Sequence, residues 1–105
     1  MLEEENEMND PSFGELMDVI KKYEDAENSQ QTIFLDEDTY VRIIEFYIDN
    51  REFKRAAGVV ENALDQYHYS CELWIKKAEL LAEQNKYEDS LEALESAENL
   101  DIAPA

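Results

Sequence analysis

The chain has 105 residues, of which 27 are acidic and 9 basic, so its formal net charge at pH 7 is −18. That balance argues against a nucleic-acid binder, which needs Lys/Arg stripes to release counterions, and it disfavours anionic membrane surfaces. A hydrophobic content of 44 % argues against full disorder, and 2 Gly with 2 Pro leave too little punctuation for a sandwich or barrel.

Residues 1–38 carry 13 acids and 2 bases, a steeper imbalance than the rest of the chain. The opening Met1-Leu2-Glu3-Glu4-Glu5 is the opposite of a signal peptide, which needs a basic and then an apolar region. Residues 1–11 read as a flexible acidic tail. A helix start follows at Asp10-Pro11-Ser12, where Asp or Ser can cap and Pro suits a first helical position. Phe13, Leu16, Met17, Ile20 and Tyr23 then recur at helical spacing, which predicts an amphipathic leader helix near 12–26. Glu27 to Gln31 read as a polar loop, closing a leader-and-loop segment over 12–34.

From Leu35 the sequence repeats itself. Leu35, Asp36, Tyr40, Tyr47, Phe53, Val60 and Ala63 align with Tyr69, Ser70, Trp74, Leu81, Tyr87, Leu94 and Ala97, each pair 34 residues apart. A fixed period of this length marks a helix–turn–helix unit that stacks on its neighbour. It divides the chain into a first repeat, 35–68, and a second, 69–105, with helices expected near 37–49, 53–66, 71–84 and 87–100. Asp36 and Ser70 are expected to cap their helices, and Asn50 and Asn85 to carry the left-handed residue of each tight turn.

These residues resemble the tetratricopeptide repeat (TPR) family. The family's early aromatic is matched by Tyr40 and Trp74, its following apolar pair by Ile43-Ile44 and Lys77-Ala78, and its next large residue by Tyr47 and Leu81. An aromatic opens the second helix at Phe53 and Tyr87, and small residues recur at Ala56, Ser90, Ala63 and Ala97. Lys77 departs from the preferred Leu, and His68 and Ile102 stand where the family often has Pro. The resemblance covers residues 35–102, and the leader helix with the first repeat is similar to the N-terminal end of long bacterial multi-TPR proteins. It implies an all-α fold, a two-repeat TPR solenoid behind an N-terminal amphipathic helix, with aromatics used for packing.

Catalytic chemistry finds no support in the residues. His68 is the sole histidine, and Cys71 the sole cysteine, without a neighbouring base, so no nucleophile–base pair, histidine metal cluster or internal disulfide is available. Asp49-Asn50-Arg51-Glu52-Phe53 lacks the alternating oxygen ligands and central Gly of a calcium loop. No phosphate-cradling Gly-rich loop occurs. The expectation is therefore no enzyme, no cofactor and no metal.

The resemblance instead implies a protein- or peptide-binding face formed by the first helix of each pair. Carried onto this sequence, it comprises Asp38, Val41, Glu45, Ile48 and Asp49 in one repeat and Glu72, Ile75, Glu79, Ala82 and Glu83 in the next. This would be an acidic groove with an apolar ribbon of Val41, Ile48, Ile75 and Ala82, with Arg42 and Lys76 the nearby bases. A basic or amphipathic partner segment fits it better than an acidic tail. Replacing Glu45 and Glu79 by Lys should weaken binding with little effect on stability. The expected function is protein–protein interaction or scaffolding, with self-assembly through exposed repeat ends as the alternative. Leu91, Leu94, Ala97 and Leu100 should leave an apolar C-terminal face, open to further repeats or another copy. No run of 18 apolar residues occurs, and a lone cysteine suits a reducing compartment, so the chain is expected in the cytoplasm.

Overall fold

The computed structural model describes residues 11–102. The expected tail and the Asp10 cap lie outside the described residues, except that the first helix begins at Pro11. Among the described residues the fold is all-α, with five helices and no strand. They are α1 (Pro11–Asn28), α2 (Glu37–Asp49), α3 (Phe53–Gln66), α4 (Cys71–Glu83) and α5 (Tyr87–Ile102). The expected helices match these within two residues at each end, and α1 runs on into the segment expected to be loop. None is long and apolar enough to cross a membrane.

The chain divides into two compact units, Met1–Leu35 and Asp36–Ala105. In the first, α1 buries Ile20 and Tyr23, while Lys21 and Lys22 are exposed. In the second, short connections fold α2 onto α3 and α4 onto α5 as helical hairpins. The hairpins meet where α4 packs against both α3 and α2.

Three helices end in the same way. The residue after the C-cap takes a left-handed conformation at Gln30 (φ 57°), Arg51 (φ 60°) and Asn85 (φ 62°). At each end two reversed hydrogen bonds satisfy otherwise orphaned carbonyls: Arg51 N–H to Ile48 O at 2.9 Å and Glu52 N–H to Tyr47 O at 2.8 Å, repeated as Asn85 to Ala82 and Lys86 to Leu81. The left-handed residue expected at Asn50 is thus Arg51. The 34-residue period pairs Asn85 with Arg51, not with Asn50. Asn50 is the C-cap, and its Nδ2 donates to Phe46 O at 2.8 Å.

The helix starts are less alike. Ser70 Oγ accepts from the Leu73 N–H at 3.2 Å, as a capping side chain should. Asp36 holds the N-cap position of α2 without its side chain accepting a backbone N–H; its carboxylate accepts from the Thr39 hydroxyl instead.

The core runs through both hairpins. Tyr40, Ile43, Ile44 and Tyr47 of α2 face Ala56, Val59, Val60 and Ala63 of α3, all at 1 % exposure or less. Gln66 Nε2 donates to the Tyr40 hydroxyl at 2.8 Å, and Tyr67 meets the Tyr40 ring edge-on. The second hairpin departs from the expected packing. Leu73, Ala78 and Leu80 are the buried residues of α4, while Trp74 and Leu81 are half-buried. Trp74 keeps its indole N–H on His68 O at 3.0 Å. Tyr87 is not a core residue: it opens α5 at the hairpin's end, 62 % exposed, with its hydroxyl donating to Asn85 Oδ1. Ser90 replaces the first hairpin's Ala56 and uses the extra oxygen to donate to Ala78 O at 2.8 Å, tying α5 to α4.

Candidate protein-binding face

The exposed sides of α2 and α4 follow from helical spacing. On α2, Asp38, Glu45 and Asp49 fall within one narrow arc opposite the core, and on α4 Glu72, Glu79 and Glu83 do the same. All six are exposed. The arcs correspond residue by residue at the 34-residue period: Asp38 with Glu72, Glu45 with Glu79, Asp49 with Glu83. Since α2 and α4 pack directly, the two arcs belong to neighbouring helices.

The apolar ribbon is narrower than expected. Ile75 is 39 % exposed, and Ile48 and Ala82 are half-buried. Val41, expected on the surface, is 4 % exposed. It lies about 100° around the helix from Tyr40, and α2, covered by both α3 and α4, buries an arc broad enough to include it.

Lys76 sits between the two acidic arcs. Its ammonium lies 3.1 Å from Glu45 and 3.5 Å from Glu79, with the side chain 15 % exposed. Burial alone would lower its pKa, but the two carboxylates outweigh this, and the ammonium stands above its ordinary value of 10.5. Glu45 and Glu79 are therefore partly neutralised and tied into the contact between hairpins, so replacing both by Lys also removes a structural link. Asp38, Asp49, Glu72 and Glu83 have no ion pair among the described residues. They supply the free negative charge of the face.

The adjacent Lys77 works on the opposite flank. It pairs with Glu61 of α3 at 3.1 Å and lies 5.2 Å from the centre of the Trp74 ring. This explains a lysine where packing favours leucine: its stem covers half-buried surface while its head meets a carboxylate. The signal in the sequence was two lysines in the middle of an otherwise apolar and acidic helix.

Comparison with protein families, curated proteins and solved structures gives no match.

Elsewhere the chemistry is sparse. Among the described residues no group of three His, Cys, Asp or Glu is placed to hold a metal ion. Cys71 is half-buried at the start of α4, its Sγ 3.5 Å from Ala97 O. His68 stacks obliquely on Tyr69, ring centres 4.2 Å apart, in the turn between hairpins.

Proposed function

We propose that the chain is a TPR-like, non-catalytic interaction module whose α2–α4 face binds a basic or basic-amphipathic protein segment. The observation that carries this reading is the duplicated acidic arc: three carboxylate pairs at the repeat period, all exposed, four of the six outside any ion pair among the described residues. Carboxylates outside any ion pair in neighbouring registers set up a negative potential over the helix pair, which steers a cationic segment and fixes its register. Half-buried Ile48 and Ala82, with Ile75 at the far margin of the face, give an apolar contact for a partner's hydrophobic side chains.

The test compares affinity capture by the wild-type chain and by Asp49→Lys/Glu83→Lys, quantified by mass spectrometry at low and high salt. These positions leave the Lys76 cluster intact. A set of basic proteins captured by wild type, lost with the double variant and weakened by salt supports the reading. Equal capture by both chains moves the binding surface elsewhere.

A further inference from the structure

A second feature of the same unit lies on the side of α4 and α5 that faces away from the first hairpin. There Ile75, Leu91, Leu94 and Ala97 line an open groove of about 480 Å³, with Glu95 and Glu98 at its edge. Leu91 is 61 % and Leu94 43 % exposed, and as neighbours three residues apart on one helix they form a continuous apolar patch with Ile75.

The 34-residue period supplies a template for what fills such a groove. It maps Ile75 onto Val41, Leu94 onto Val60, Ala97 onto Ala63, Glu79 onto Glu45 and Glu95 onto Glu61. On the first hairpin this surface is covered. Val41, Val60 and Ala63 are at 4 % exposure or less, and α4 packs against both α2 and α3. Glu45 and Glu61 each hold one of α4's adjacent lysines, Lys76 and Lys77, both at 3.1 Å. The second hairpin offers the same apolar floor between the same two carboxylate positions, and Glu95 has no ion pair among the described residues.

We propose that this groove docks an amphipathic helix with the chemistry of α4: leucines seven residues apart on its buried face, flanked by two adjacent lysines that reach Glu79 and Glu95. Glu98 stands where the first hairpin has the buried Leu64, so the occupant carries a base or polar group there instead of an apolar side chain. The two lysines set opposite Glu79 and Glu95 select a lysine-bearing helix from another protein over a second copy, which would bring a chain of net charge −18 against another of the same charge. The groove shares Ile75 and Glu79 with the margin of the α2–α4 face, so the chain variants that test it are confined to α5.

The probe is a fluorescein-labelled peptide of residues 70–84 with Cys71→Ser, titrated by anisotropy against the full chain. Saturable binding is expected, weakened at least about tenfold by Lys76→Glu/Lys77→Glu in the peptide and by Leu94→Asp in the chain. Glu95→Lys in the chain should weaken the wild-type peptide and restore part of the affinity of a Lys77→Glu peptide. Leu94 and Glu95 are exposed, and circular dichroism of both variants verifies the fold. Absence of saturable binding, or an affinity indifferent to the lysine and Glu95 swaps, overturns the proposal. So does sedimentation showing a dimer that Leu94→Asp abolishes, because a second copy would then occupy the groove.

Discussion

Replacing Lys76 by Met retains the apolar stem and removes only the ammonium that joins Glu45 of the first hairpin to Glu79 of the second. The two pairs are 3.1 and 3.5 Å long, with the carboxylate side chains 49 % and 53 % exposed. Pairs of that exposure contribute roughly 0.2–1 kcal/mol each, and removing the shared cation leaves two like charges facing each other across the hairpin contact. Relief of the lysine's desolvation offsets part of this, so the expected loss is about 1 kcal/mol. For a unit of this size that corresponds to a fall in Tm of about 4–8 °C. Urea unfolding followed by circular dichroism measures it. In about 1 M salt, where the Debye length is about 3 Å, most of the difference between wild type and variant should vanish. The pH dependence has a definite sign. The folded chain holds the Lys76 proton more tightly than the unfolded chain, so the contribution is complete below pH 10.5 and is lost as pH rises through the higher folded value. The stability difference should therefore be flat from pH 7 to 10 and shrink at higher pH. No loss at low salt, or a loss above about 3 kcal/mol that ignores salt, would refute the reasoning: the first denies the link, the second makes it a packing effect.

Other substitutions probe the packing. Leu73→Ala removes a fully buried side chain of α4 and should cost about 2–5 kcal/mol in urea unfolding, whereas Tyr87→Ala, at a residue 62 % exposed, should cost less than about 1 kcal/mol. Arg51→Gly relieves a left-handed non-glycine residue and should raise stability by about 0.5–1 kcal/mol, a gain trimmed by losing the guanidinium's position over the Phe53 ring. Ser90→Ala removes the bond to Ala78 O and should cost about 0.5–1.5 kcal/mol, read from the same melts.

The fold was legible because the information for it is periodic. Tyr40, Tyr47, Ala56, Val60 and Ala63 stand at helical spacing, their counterparts return 34 residues later, and the helices lie where that pattern puts them. Burial within the second hairpin was not legible from the period alone. Position 87 repeats position 53 as an aromatic, yet Phe53, under the Arg51 guanidinium, is half-buried and Tyr87 exposed, a difference that residue type alone does not encode. Leu73 was missed for the converse reason: its first-repeat counterpart is the polar Thr39, so the repeat comparison drew attention to Trp74 beside it. The acidic arc was visible as exposed helix positions. The role of Lys76 was not, since its ion pairs depend on how α4 seats on α2, a contact between residues 31 apart in the chain.

The measurement that bears most directly on the proposed function is an amide chemical-shift titration of the isotope-labelled chain with the basic segment identified by affinity capture. The account predicts salt-sensitive perturbations centred on Asp38, Glu45 and Asp49 of α2 and Glu72, Glu79 and Glu83 of α4, absent in Asp49→Lys/Glu83→Lys. Perturbations confined to α3 and α5, or a pattern unchanged in the double variant, would contradict it.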